Sequence, residues 1–551
     1  MKNWSKIALS GATLGAAVLV LAGCSSSKSS SRAINAYVPA AIQTLDSGTV
    51  TDSYSMDLIG NTEEGLTRNN NGQPSLALAK SIETSKDGKT VTVTLRDGLK
   101  WSNGDKLTAQ DFVYAWERAA DPATASQYAY MIQEANIANA DAVVNGKADK
   151  STLGVKAESD TKLVITLTTP TPYLENVLAL PVFYPVDPSV VQKDGKAYGT
   201  NSSNMVYDGP FMFKSTNGWN GSNNTYTIYK NPDYYDAKNV KASEVNWQTI
   251  TNPNTGISLY KSGKVDYTAV GTSTLYPVYK DNKATKNLPV SENEYIEFNQ
   301  SGKGTSSDLA SKALQNVNIR KAISLATDRA GAVNTVSPAN KPATGFTPAG
   351  TGTINGEDFS TYAKQPYTYN ATEAKKYWEQ GLKELGVKSL TLNFETDSDS
   401  PTGKQNADFL KQSFEKTLPG FTFNEVIVPF KQRLKDAQNG NFDLILSLWG
   451  GDYSEPSTFL TLFLPGGGQN DGRVDNAAYN EAIKKATSEP DISNTSARYA
   501  DYKAAEKALY DDASVDPVEF YQAPNLVNPN LQGVVWNATG LSIDLKGAYI
   551  K

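Results

Sequence analysis

The run "FDLILSLWGGDYSEPSTFL", Phe442 to Leu460, decides how the chain is read. Its first half is an apolar strand, and its second half sets Asp452 behind Gly450 and Gly451, among Trp449, Tyr453 and Phe459. A carboxylate so close to a core strand costs free energy unless something positive meets it. Just before this run, "LTLNFET" reads as strand, "TGKQNADFLKQSFEKTL" as helix, "FTFNEVIVP" as strand and "FKQRLKDAQNG" as helix. That alternation implies parallel strands joined by right-handed crossovers. Ligands of such open sheets sit beyond the carboxyl ends of the strands, and Asp452 falls just past the end of the last one.

Outward from this sheet the chain continues as an α/β protein with no repeat of fixed period. In "KTVTVTLRDGLKWSNGDKLTAQDFVYAWERAAD", Val91, Val93 and Leu95 alternate as a strand, and turns fall at Asp97-Gly98 and Asn103-Gly104. A helix follows, with Thr108 and Asp111 as a near capping box and Phe112, Ala115, Trp116 and Ala119 as its apolar face. "KLVITLTTP" and "YTIYKNPDYYD" are further strands, stopped at Pro170 and at the Asn231-Pro232 turn. "LQNVNIRKAISLATDRAGAV" is helical, with Val317, Ala322, Ile323 and Leu325 at helical spacing. The isolated strand Glu294 to Gln300 reads as a crossing between two lobes. "VDPVEFY", Val515 to Tyr521, reads as the return crossing, after which the C-terminal strands rejoin the first lobe. Two lobes joined by two strands make a clamshell.

At 551 residues the chain exceeds what one hydrophobic core serves. Its formal charge of −6 argues against a nucleic-acid or anionic-membrane partner. With no histidine and a single cysteine, disulfides within the chain, Cys/His zinc sites and His-based triads are excluded by inventory. No D-x-[DN]-x-[DN]-G calcium loop occurs, and neither metal nor other cofactor is expected. Ser258 to Lys261 fits S-x-x-K, but no S-D-N or K-T-G accompanies it. "DGKT", Asp87 to Thr90, has Glu83 where a P-loop needs its first glycine and reads as a hairpin turn. No enzyme activity is expected.

The start, "MKNWSKIALSGATLGAAVLVLAGC", has basic Lys2 and Lys6, an apolar segment from Ile7 to Leu21 and small residues before Cys24. This is an export signal, broken by Ser10, Gly11, Thr13 and Gly15 and too short to span a bilayer. Leu21-Ala22-Gly23-Cys24 resembles the lipobox of bacterial lipoproteins, in which cleavage precedes a cysteine that carries a diacylglyceryl group. "SSSKSSSR" then reads as a polar tether.

Five stretches carry a resemblance that covers nearly all of the chain after Cys24. They are "TLDSGTVTDSYSMDLIGNTEEGL", "LRDGLKWSNGDKLTAQDFVYAW", "YDGPFMFK" with "YKNPDYYD", "NVNIRKAISLATDR" and "FDLILSLWGGDYSEPSTFL". In this order they resemble the oligopeptide- and dipeptide-binding lipoproteins of ABC importers, the OppA-like solute-binding proteins of family 5. The resemblance implies a two-lobed clamshell like the type II periplasmic binding proteins, with an extra subdomain in the first lobe. Here that divides the chain into a signal peptide, 1–23, and a tether, 24–33. The first-lobe core is 34–60 with 195–296 and 516–551, the extra subdomain 61–194, and the second lobe 297–515.

The implied ligand is an extended peptide clamped between the lobes. The pattern W-x-x-D-Y-x-E-P matches Trp449, Asp452, Tyr453, Glu455 and Pro456, and Asp452 is similar in position to the aspartate that pairs the ligand's α-amino group. An ammonium brings three donors and a full charge, which an ionised, acceptor-only carboxylate suits. Sequence-tolerant binding draws its affinity from the ligand backbone, so the backbone around Leu448 and Gly450 is the candidate edge. The two glycines serve either close approach or turn geometry. Thr49, Val50, Thr51 and Asp52, in "GTVTDS", resemble the loop along the other side of the peptide. Tyr128 and Tyr130 are candidates to line side-chain pockets.

No lysine or arginine lies between Lys435 and Arg473, so the anchoring strand itself offers no partner for a peptide carboxylate. The implied partners are a membrane permease with its ATPases, the implied location is the outer face of the cell membrane through Cys24, and the receptor is expected to be monomeric. Uptake, sensing of signalling peptides and capture of a non-peptide solute by the same fold stay open at this point.

Overall fold

The computed structural model describes residues 33–398 and 401–551. The export signal, Cys24 and the tether up to residue 32 lie outside the described residues. Among the described residues no helix is long and apolar enough to cross a membrane.

The alternation read around Phe442 forms one side of a six-stranded sheet. Its order is Lys341–Pro342, Val515–Phe520, Glu292–Phe298, Leu444–Gly450, Leu390–Asp397, Phe421–Val428. Leu390–Asp397 runs parallel to both Phe421–Val428 and Leu444–Gly450, as the crossover helices Pro401–Thr417 and Phe430–Asn439 require. Both faces are covered. Ile296, Phe298, Leu392, Phe394, Leu444 and Leu446 pack with Trp378, Leu410 and Phe414 on one side. Tyr295 packs with Phe346, Phe459, Phe463 and Tyr479 on the other. Burial on both sides explains why "LILS" is an unbroken apolar run rather than an alternating one.

Most of the remaining strands form smaller sheets around a separate core. One has the order Ile34–Val38, Glu244–Thr249, Thr225–Lys230, Phe211–Phe213, and another Ala79–Thr84, Thr90–Leu95, Lys162–Thr166, Val155–Ser159. Val91, Val93 and Leu95 point into this core, and helix Ala109–Ala120 closes it with Phe112, Ala115, Trp116 and Ala119. The Thr108 N–H donates to Asp111 Oδ2 at 2.9 Å, the return half of the capping box. Leu541, Ile543, Leu545 and Ala548 bring the chain's end back into the same core.

The crossings differ from the sequence expectation. Glu292–Phe298 and Val515–Phe520 are neighbouring central strands of the six-stranded sheet, paired from Asn293↔Phe520 to Glu297↔Val515. The chain leaves the three-stranded sheet at Leu288 and rejoins it at Ala523, strands Thr285–Leu288 and Ala523–Val527 being paired there. The crossings are therefore the short links 289–291 and 521–522, a few residues nearer the first lobe than 294–300 and 515–521. Their sheet residues are buried on both faces, which an isolated apolar run cannot reveal.

Candidate functional site

Strand Leu444–Gly450 is paired along its whole length on one edge, from Phe298↔Leu444 to Glu292↔Gly450. On its other edge it meets Leu390–Asp397 only at Leu444 and Ile445. Leu446 to Gly450 thus present a free strand edge among the described residues. Gly451 N–H donates to Ser291 O at 2.9 Å, toward the paired side. Backbone groups alternate along an antiparallel ladder, so those of Leu448 and Gly450 point to the free edge. Leu446 O does too, and accepts from Arg433 Nη1 at 3.3 Å.

Asp452 closes one end of this edge. Its side chain is buried, 8% exposed, and its N–H donates to Thr458 Oγ1 at 2.9 Å. The carboxylate accepts the Tyr128 hydroxyl on Oδ1 and the Tyr130 hydroxyl on Oδ2, both at 2.8 Å. Both tyrosines pack against the first-lobe core. Among the described residues no lysine or arginine lies within ion-pairing distance of Asp452. Burial pushes its carboxyl up to about 6, and the two hydroxyls hold it from going higher. Glu134, pushed up to about 7 by burial, stands on the same side, within 3.4 Å of the Tyr453 hydroxyl that donates to it.

Arg433 stands at the opposite end of the edge. It reaches Leu446 O and Ser447 Oγ and pairs with Asp397 at 3.4 Å. The lysine- and arginine-free stretch of sequence is therefore met by a cation from the preceding helix, already engaged with a carboxylate.

The other site residues expected from sequence divide. Leu448 is 46% exposed beside the free edge. Trp449 is half-buried and spends its indole N–H on Thr458 O at 2.9 Å, so it braces the Asp452 loop. Tyr453 is 2% exposed and stacks on Tyr173, centroids 5.6 Å apart, because its ring completes the first-lobe core; its face is not offered to a ligand. Val50 is 1% exposed for the same reason, which leaves only its backbone available. Thr49 is half-buried and Thr51 exposed. Asp52 caps helix Ser53–Thr62 through Ser55 N–H at 2.8 Å, while its Oδ2 is buried without a partner. That helix is tied to the C-terminal segment by Asp57, which accepts Ser542 N–H at 2.6 Å, and by Asn61, which donates to Ile543 O at 3.0 Å. Glu455 is held by Arg498 at 2.8 Å.

Sequence reasoning missed that Tyr128 and Tyr130 meet Asp452 directly, and it missed Glu134 altogether. The only signal was two tyrosines two positions apart with an acid four positions beyond the second, which ordinary packing explains equally well. The S-x-x-K serine, Ser258, lies exposed on helix Pro253–Lys261 with its hydroxyl donated to Asn254 O at 3.0 Å.

Residues 73–471 match the family model described as bacterial extracellular solute-binding proteins, family 5 Middle. The chain is 50% identical over 547 residues to a dipeptide-binding protein of Lactococcus lactis subsp. cremoris (strain MG1363), covering 99% of this chain and 98% of that protein. It is 32% identical over 523 residues to the oligopeptide-binding protein OppA of Bacillus subtilis (strain 168), covering 92% and 90%. The structure of Listeria monocytogenes OppA bound to peptide superposes with a TM-score of 0.81 at 34% identity, over 95% of this chain and 100% of that one. That of the pheromone receptor PrgZ does so with a TM-score of 0.81 at 31% identity, over 95% and 100%. The two-lobed α/β architecture, the motifs and these matches agree: the chain belongs to family 5 of the bacterial extracellular solute-binding proteins.

Proposed function

We propose that this protein is an extracytoplasmic receptor that captures extended peptides and hands them to an ABC permease for uptake. One observation carries the reading: a free strand edge, Leu446 to Gly450, ends at a buried aspartate that no cation among the described residues neutralises. A peptide adds its backbone to the edge at Leu448 and Gly450 and brings its ammonium to Asp452, where it displaces or joins the tyrosine hydroxyls. At ~3.3 Å per residue the edge is roughly 13 Å long, room for roughly four ligand residues. The "GTVTDS" backbone lies along the other side.

Among the described residues the backbone passes between the two cores through the links 289–291 and 521–522, and peptide contacting both cores favours the arrangement in which the lobes meet. Cys24, lipid-modified after signal cleavage, holds the receptor on the outer membrane face, and the receptor works as a monomer. Release of a Cys24→Ser form into the medium tests the anchor.

Calorimetric titration of refolded, ligand-stripped protein with five-residue peptides and their N-acetylated counterparts tests the ligand. Saturable binding lost on acetylation is the expected result. Equal binding of both would remove Asp452 from the site, and binding of neither would remove peptides as the ligand class.

A further inference from the structure

Glu292 faces Gly450 across the sheet and has no evident structural duty. Tyr521 N–H donates to Glu292 O at 3.0 Å, so Glu292 spends its backbone on that neighbour, and the Glu292–Gly450 pair is a non-hydrogen-bonded one. Such pairs bring Cα atoms to about 4.5 Å with both side chains on the same face. The Glu292 side chain lies against the bare backbone of Gly450: a Cβ there would sit 3.3 Å from its Cγ and 3.6 Å from its Oε1. Gly450 does not have a positive φ, so its backbone conformation does not demand glycine. What glycine supplies is the absence of any side chain between the free strand edge and the Glu292 carboxylate.

That carboxylate is half-buried, and among the described residues it accepts no hydrogen bond and forms no ion pair. Burial raises its pKa with nothing opposing. Its surroundings are tyrosines and acids. Burial, then Glu292, push the Tyr54 hydroxyl up to about 12, and Tyr521 is raised by burial and by Glu294, Glu519 and Glu292. No lysine or arginine of the described chain stands within ion-pairing distance of it.

We propose that Glu292 is a specificity-determining residue that receives a basic side chain of the bound peptide, reached across Gly450. The proposal rests on the peptide reading above. A ligand residue opposite Gly450 projects its side chain onto the same face as Glu292. Its Cα stands about 5.5 Å beyond Gly450 in a hydrogen-bonded pair, so about 10 Å separate it from the Glu292 Cα. A lysine or arginine stem spans most of that gap over the glycine, with the glutamate covering the rest, and its apolar methylenes lie along the tyrosine walls. Neutral side chains of the same length cross the glycine and leave the carboxylate unpaired.

The test is a scan of tetra-alanine in which each of the first three positions is replaced in turn by lysine, by glutamate or by norleucine, the neutral counterpart of lysine, titrated calorimetrically into the stripped wild type, Glu292→Gln and Glu292→Lys. The wild type should prefer lysine over norleucine at one position by roughly three- to tenfold, as for a half-buried charge pair. In Glu292→Gln that ratio should fall to about one, and Glu292→Lys should turn the preference toward glutamate at the same position. Equal affinity for lysine and norleucine at all three positions, or a lysine preference that survives Glu292→Gln, would overturn the proposal and leave the peptide receptor standing. Failure of every peptide in the scan to bind would overturn both.

Discussion

Two buried aspartates of the second lobe show opposite designs. Asp516, fully buried on strand Val515–Phe520, pairs with Arg329 and accepts the Ser324 and Thr327 hydroxyls, each at 2.6 Å. Arg329 in turn donates to Pro517 O at 2.6 Å. Every charge there is answered within the chain. Asp452, past the end of another strand of the same sheet, has two hydroxyls and, among the described residues, no cation. Desolvation is comparable at the two places, so the difference is one of supply: one carboxylate holds the lobe together, and the other is left short of a charge that a ligand can bring.

Asp516→Ala leaves Arg329 buried without its partner and should cost roughly 3–5 kcal/mol of stability, read by urea denaturation. A loss under 1 kcal/mol would mean that the pair is not structural. Asp452→Ala should do the reverse, keeping the fold and weakening peptide binding by on the order of 2–5 kcal/mol in a calorimetric titration. Retained affinity in the folded variant would end its role as an anchor.

pH sharpens the same contrast. Asp452 is raised on folding from 3.8 to about 6 by burial, so its favourable contribution to the ligand-free fold is complete below 3.8 and is lost as pH rises through about 6. At ~1.4 kcal/mol per pKa unit the change is about 3 kcal/mol, and Asp452→Asn should abolish it. Glu134, raised to about 7, titrates in an overlapping range, so the difference between wild type and Asp452→Asn is the quantity to measure. Peptide affinity runs the other way, because the ammonium needs the ionised carboxylate. It should fall by about tenfold per pH unit below about 6. A flat affinity profile from pH 7 to 5 would show that the bound cation is not read by Asp452.

What sequence could show follows from range. The strand–helix alternation from Leu390 to Gly450 is local, and periodicity finds it; Asp452 is placed by the same local reasoning. The central strands Glu292–Phe298 and Val515–Phe520 lie some 220 residues apart in sequence, and their pairing left no periodic trace, so both looked like links rather than sheet. Side-chain directions were equally hidden. Val50 and Tyr453 belong to a core assembled from distant segments, so no local pattern tells a buried ring from one offered to a ligand. The Tyr128–Asp452 bond joins positions 324 apart. An unanswered carboxylate was legible as a question, whereas the hydroxyls that meet it were not.

Those hydroxyls give the smallest and most discriminating effect. Tyr128→Phe removes one donor from Asp452 Oδ1 and leaves the ring in place, so packing is kept and one charge-assisted hydrogen bond is lost, worth about 1–2 kcal/mol. With fewer donors the carboxylate is less well tolerated, and the Asp452 pKa should rise further, moving the pH midpoint of the stability difference upward. If the arriving ammonium displaces the hydroxyl, the ligand-free protein loses that bond and the complex does not. Tyr128→Phe would then lower the stability of the ligand-free form and tighten peptide binding. If the hydroxyl stays on the carboxylate beside the ammonium, both forms lose it and affinity is unchanged or weakened. Thermal denaturation and titration of one conservative variant therefore distinguish a placeholder for the missing cation from a permanent wall of the site, and Tyr130→Phe asks the same of the other oxygen.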